Sequence, residues 1–333
     1  MSELLRDAHA VLFPVLETLE FNDPIRRFLD HGGKSLLFGE TGEEYVTGRM
    51  SDARLARETP DAWHRAIESA TARAGKLILA ADADIAAVHR LQGVAAPLPA
   101  REAAQRLSPA ELEQVCFEAA RGVVAAGINL VLSPTADVLT GRNAWLEGRT
   151  LADDAQTAAR MVRSYVRAAH RAGLRTTLKH FPEHPVLQGH LSQDDATVAL
   201  SLDELRAQWA AFEAGIDEGV SAVMMGPARF DALVPATAGS LSRELIGILR
   251  GDLKFGGLVM TCDLDHRSTL GDRSLADTAI AALVAGADLL LLSPKAVPHL
   301  AEVARAIVAA VESGVLDRAR LDAATHAVRK LAG

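Results

Sequence analysis

Eight short apolar runs, set apart by long amphipathic stretches, constrain this chain more than any other feature. The runs lie at 10–15, 35–38, 76–80, 128–132, 176–178, 222–225, 257–261 and 287–292. Several hold apolar residues in succession rather than alternation, which suits strands buried on both faces. Helical patterning fills 109–126, 153–172, 201–219 and 274–285, and 297–313 follows the last run. The pairs Ala126-Gly127, Ala172-Gly173 and Ala285-Gly286 each precede a run by two or three residues and read as helix C-caps. This alternation predicts an α/β protein: a single TIM-like (β/α)8 barrel, one domain over 1–333. An open doubly wound sheet would need a Gly-rich phosphate loop after an early strand, and the sequence has none. Residues 40–56 are expected to be an extended polar β–α loop. Residues 181–196 are too long and polar for a minimal barrel loop and are expected to form a mobile active-site flap.

Composition excludes several function classes. The 333 residues carry a formal charge of −8 and no block of Lys or Arg, so no nucleic-acid partner is expected. Residues Met1 to Asp7 lack an apolar signal core, and no run approaches the roughly 20 apolar residues of a membrane span. A cytoplasmic protein without a membrane partner is expected. Cys116 and Cys262 form neither a disulfide framework nor a zinc spacing. No metal and no organic cofactor is expected, and nothing in the sequence names a protein partner.

In a barrel of this type, chemistry gathers where strands end and loops begin. Those ends carry Asp82 and Asp84, Ser133 and Asp137, Lys179 and His180, Cys262, Asp263 and Asp265, and Ser293. Each alone could cap a loop, but as a group they converge on one mouth. Lys179 and His180 are sequence neighbours and start toward opposite faces, so both reach a ligand only if the strand end twists. Alternatively, Lys179 pairs with Asp82 or Asp137 inside the barrel.

Lys179-His180-Phe181-Pro182 with His184, the stretch 241–261, and 271–291 resemble glycoside hydrolase family 3. Within that family they are similar to the bacterial β-N-acetylglucosaminidases that trim peptidoglycan fragments. Asp82-Ala83-Asp84 with Arg90, Ser133-Pro134 with Asp137, and Gly148-Arg149-Thr150 also align. The resemblance implies a small-molecule ligand of amino-sugar or peptidoglycan-fragment type. It assigns substrate contacts to Asp82, Arg90, Arg149, Lys179 and His180, whose residue types are all retained.

The positions assigned to chemistry depart from the family pattern. The family's nucleophile, an Asp after Ser or Thr at the end of the seventh strand, falls on Cys262 after Thr261. Its acid/base His and that residue's preceding Asp fall on Ser192 and His190, and its small Gly after Phe-Pro falls on Glu183. Retaining hydrolysis needs a carboxylate beneath the anomeric carbon and a proton donor for the leaving oxygen. A thiol of ordinary pKa about 8.5, beside Asp263 and Asp265, replaces that carboxylate poorly. Three readings stay open: a sugar-binding pseudoenzyme; a glycosidase with relocated groups, Asp263 as nucleophile and His190 with Asp194 or Asp195 as acid/base; and Cys262-dependent chemistry with His180 or His266 as base. Trp145 either stacks on a sugar or anchors its loop.

Overall fold

The computed structural model describes residues 1–233 and 235–333. Every apolar run forms a strand: β1 Leu12–Leu16, β2 Ser35–Phe38, β3 Ile78–Ala81, β4 Leu130–Val131, β5 Arg175–Phe181, β6 Ala222–Met225, β7 Leu258–Thr261 and β8 Leu290–Leu292. They pair in parallel in the order β7-β6-β5-β4-β3-β2-β1-β8. A parallel bridge from Met260 to Leu289 joins the two ends, and the Thr261 N–H donates to the Leu289 carbonyl at 3.0 Å. Closure into a barrel leaves no open strand edge to pair with another chain.

Alternation along the strands sorts side chains into two cores. Phe13, Val15, Ile78, Ala80, Met224, Leu258, Met260 and Leu291 fill the barrel, while Leu79, Val223, Val259 and Leu290 pack against the outer helices. A one-residue slip would exchange the two sets, so burial worth roughly 1.5–3 kcal/mol per large side chain fixes the register. Cys262, the residue after β7, belongs to the inner set and continues the strand's inward series of Leu258 and Met260. Val328 of the last helix, Arg318–Ala332, joins the same inner core. That helix closes the amino-terminal end of the barrel, where Gly333 approaches Lys76 just ahead of β3.

The outer helices begin and end where their chemistry predicts. Pro109–Ala125 starts on a Ser108–Glu111 capping box with Pro in its first turn, and Ala155–Arg171 starts on Asp154. Gly127, Gly173 and Gly286 all take positive φ, at 92°, 80° and 120°, as C-cap glycines do. Cys116 is buried on the first of these helices.

Two local expectations need correction, and one small sheet was not expected. Residues 40–56 are not one extended loop but carry the helices Gly42–Thr47 and Asp52–Arg57, each started by a side-chain cap, Thr41 and Ser51. Both are too short for an apolar period to show. The helix expected over 201–219 breaks into Leu202–Arg206 and Ala210–Asp217. The break falls at Trp209, whose indole N–H donates to the Pro182 carbonyl at 3.0 Å and ties the break to the β5 loop. Thr197–Val198, Arg229–Phe230 and Thr237–Ala238 form a small second sheet whose two-residue strands give no sequence signal. Among the described residues no helix is long and apolar enough to cross a membrane.

Candidate functional site at the barrel mouth

At the carboxyl ends of β3 and β5, Lys179 Nζ donates to Asp82 Oδ1 at 2.5 Å, with both side chains almost fully buried. Burial alone would lower the Lys179 pKa. Asp82, Asp84 and Tyr45 outweigh it and hold the ammonium charged above its ordinary range. The pair is the internal one the sequence left open, and Asp82 rather than Asp137 is the partner. A register shift between Lys179 and Phe181 against β6 re-aims the end of β5, which lets successive side chains serve one end of the barrel.

His180 turns to Asp137. Oδ2 of Asp137 accepts from the His180 ring Nδ1–H at 2.8 Å and from its backbone N–H at 2.7 Å. Oδ1 of Asp137 accepts from His184 in the same two ways, at 3.1 and 3.0 Å. Burial pushes the His180 pKa down to about 4, against the pull of Asp137, so the ring is neutral at pH 7. Burial would raise Asp137, but the two imidazoles and their hydrogen bonds hold it well below the usual carboxylate range. The Trp145 ring packs at a tilt against the His180 ring, centroids 4.5 Å apart, and edge-on to that of His184 at 5.2 Å. It is a loop anchor in this structure. His184 thus holds its loop through both ring and backbone, its N–H and Nδ1 on Asp137 and its carbonyl accepting from Asn143 at 2.7 Å.

Arg149 lies over the Tyr45 ring at 4.2 Å, donates to the Tyr45 hydroxyl, and donates to the Trp145 carbonyl at 2.9 Å. Tyr45 comes from the short helix Gly42–Thr47. The contact of its ring and hydroxyl with Arg149 places it among the mouth residues. Arg90 is placed differently. Its Nε donates to the Gly39 carbonyl at 2.6 Å, one Nη lies 2.5 Å from Glu58, and the guanidinium covers Trp63 at 5.2 Å. Glu58 in turn accepts from Arg54, which also binds Glu44. Arg90 therefore anchors the chain behind the mouth.

Cys262 directly follows β7 and continues its inward series, and its backbone N–H donates to the Met225 carbonyl at 3.1 Å and to Ser240 Oγ at 3.2 Å. Burial pushes its thiol well up and the charge of Asp263 pushes further, with Lys179 and Arg149 opposing. Burial likewise raises Asp263, with His266 opposing. His190 lies apart, exposed in the loop after β5. Its Nδ1 lies 3.0 Å from Ser192 Oγ, while Asp194 accepts only its backbone N–H at 3.0 Å. No carboxylate is bonded to the His190 ring among the described residues.

Several polar strand ends are caps. Asp84 accepts from the Thr135 N–H at 2.7 Å and Ser133 Oγ accepts from the Ala83 N–H at 3.2 Å. Asp265 accepts from Ser293 Oγ at 2.5 Å. Two mouth residues escaped the sequence reading, Tyr45 and Glu40. Burial, then the charge of Asp82, pushes the Glu40 carboxyl up to about 8. The available signal was its place two residues beyond β2, a strand end left out of the sequence tally.

Residues 42–331 match the family described as "Glycosyl hydrolase family 3 N terminal domain". The chain belongs to glycosyl hydrolase family 3. It is 37% identical over 171 residues to a "Beta-hexosaminidase" of Xanthomonas campestris pv. campestris, a stretch covering 51% of each chain. A "Beta-hexosaminidase" of Stenotrophomonas maltophilia is 35% identical over 181 residues, 54% of each chain. The chain thus spans about half the length of these curated relatives. Among solved structures, a family 3 β-N-acetylglucosaminidase from Paenibacillus sp. superposes with a TM-score of 0.87 at 23% identity, covering 99% of this chain and 62% of that one. A β-N-acetylhexosaminidase from Beutenbergia cavernae gives 0.83 at 25% identity, covering 100% of this chain and 99% of that one. The family 3 barrel is therefore the fold on which the mouth residues stand.

Proposed function

We propose that this family 3 chain binds a terminal β-linked N-acetylhexosamine-type sugar, of amino-sugar or peptidoglycan-fragment kind, and that its conventional retaining hydrolysis is impaired. Family membership supports a sugar ligand. The observation that carries the reading is Cys262, the inward side chain immediately after β7, standing where the resemblance puts a carboxylate. Asp82, Lys179 and Arg149 supply an acceptor and two donors at the same mouth, suited to sugar hydroxyls and an N-acetyl carbonyl. The His190 ring has Ser192 rather than a carboxylate as its partner, so the acid/base pair is also altered. The reading takes 1–333 as one barrel unit, working in the cytoplasm without nucleic-acid or membrane partner.

A second reading is an active glycosidase using Asp263 as nucleophile, with His190 as part of the acid/base pair. Its support is that Asp263 directly follows Cys262 and is partly open to solvent. A proton NMR time course with a β-linked N-acetylglucosaminyl disaccharide separates the two. Line broadening of the ligand without turnover is the expected result. Free sugar released in proportion to protein would instead establish hydrolysis, and Asp263→Asn and Cys262→Ala would identify the nucleophile. Neither effect at millimolar ligand would overturn the sugar reading.

A further inference from the structure

We propose that Cys262, Asp263 and His266 form a binding site for a zinc-class divalent cation at the mouth of the barrel. One donor atom from each, a thiol sulfur, a carboxylate oxygen and an imidazole nitrogen, lies within 4.8 Å of the other two. Asp263 Oδ2 and His266 Nε2 are 3.8 Å apart. Tetrahedral zinc with bonds of about 2.0–2.3 Å sets its donors roughly 3.3–3.6 Å apart. The Asp263–His266 separation is within about half an ångström of that span.

The donors are uncommitted. Among the described residues, no hydrogen bond to another side chain takes up the thiol, the Asp263 carboxylate or the His266 ring, and His266 Nδ1 is buried without a partner. The neighbouring carboxylate is already used, since Asp265 accepts from the Ser293 hydroxyl and backbone N–H. Asp137 with His180 and His184 is the opposite case. Its two imidazole Nδ1 atoms already donate to the carboxylate, so that trio is internally satisfied. The backbone around Cys262 is also held in place. The Cys262 N–H is bonded to β6, and the Leu264 N–H donates to the Leu291 carbonyl of β8 at 3.1 Å. A chelating loop held on both sides loses little entropy on binding.

The donor set selects the ion. Sulfur, nitrogen and a single carboxylate suit zinc, whereas magnesium and calcium require oxygen shells. Binding would displace the thiol proton to solvent and leave a sulfur–metal bond. Three protein donors are one short of the four-coordinate shell, the count of a site that keeps a place for an exchangeable ligand. The sequence shows no ligand cluster because these three donors come together only through the turn that follows β7. The inference is independent of the amino-sugar reading, since metal binding is read without any sugar.

The test uses the reduced, metal-stripped full chain. Co2+ titration is followed by absorption, and Zn2+ affinity is read by competition with a chromophoric chelator. The expected result is one Co2+ per chain with a thiolate-to-cobalt charge-transfer band. The band should vanish in Cys262→Ser and persist in Cys116→Ser. His266→Ala, at a partly exposed position, should weaken Zn2+ binding at least about tenfold, the low end of what even a supporting residue costs. Absence of the band in the parent chain, its survival in Cys262→Ser, or an unchanged Zn2+ affinity in His266→Ala each overturns the site.

Discussion

Lys179 Nζ sits 2.5 Å from Asp82 Oδ1, bridging the ends of β5 and β3 across the barrel mouth with almost no exposure to water. A buried ion pair contributes little over a well-packed apolar pair, but removing one partner strands the other charge. Lys179→Met alone is therefore expected to cost about 3–5 kcal/mol, and the double variant Lys179→Met/Asp82→Leu to recover most of it. Urea unfolding of the two singles and the double checks this. Additive losses would show that the two groups are not coupled.

The same pair orients groups for the ligand. If the sugar reading holds, Asp82→Ala and Arg149→Ala should each abolish broadening of N-acetylglucosaminyl resonances. Tyr45→Phe keeps the ring under the Arg149 guanidinium but deletes the hydroxyl to which it donates. A loss of about tenfold in affinity is expected from that one hydrogen bond to a charged donor. Unchanged affinity in Asp82→Ala or Arg149→Ala would remove the subsite from the mouth.

Glu183 gives a pH signature. It is wholly buried, neither carboxylate oxygen has a hydrogen-bond partner, and its φ is 90°, a region that favours glycine. Burial, reinforced by the charge of Asp137, pushes its pKa well above the usual range. Folding therefore binds a proton that the unfolded chain, with a Glu pKa of about 4.3, releases. The group's stabilising contribution is fully present below that value and is lost as pH rises through the folded pKa. Glu183→Gln should gain on the parent chain above about pH 4.3, by at most about 1.4 kcal/mol per pH unit. His180 works in the other direction. Its folded pKa of about 4 means stability is lost as pH falls from about 6.5 toward 4, and this slope should survive in Glu183→Gln. Thermal unfolding across pH 4–9 reads both.

What was legible in advance divides by range. The eight strands and the C-cap glycines were readable because burial on both faces and positive φ each leave a local composition signal. Gly127, Gly173 and Gly286 show this directly. The two helices within 40–56 were hidden because elements of six residues carry caps but no period. Tyr45 was missed for that reason, since only its helix carries it to Arg149. Arg90 was assigned a ligand contact by the resemblance, and its place beside Glu58 and Trp63 was not legible because it depends on packing between distant segments. Likewise, His180 and His184 share Asp137 through contacts spanning more than forty residues, which no spacing rule encodes.

Cys262→Asp tests whether the barrel still holds the rest of a hydrolase. The substitution places a carboxylate at the inward end of β7, within reach of the Lys179 and Arg149 charges that act on the native thiol. Those cations oppose burial and the charge of Asp263, which both work against the ionised form that the nucleophile of a retaining reaction requires. Departure of an alkoxide also needs a proton donor, and the His190 ring has no carboxylate partner to position and polarise it. A substrate whose leaving group departs unprotonated, such as a nitrophenyl N-acetylglucosaminide, should therefore be cleaved by Cys262→Asp while a disaccharide is not. The assay includes a chelator, so that a bound cation does not occupy the new carboxylate. Cleavage of both substrates at similar rates would show that a competent acid remains at the mouth. Cleavage of neither would mean that the carboxylate position is not the one the resemblance assigns to Cys262.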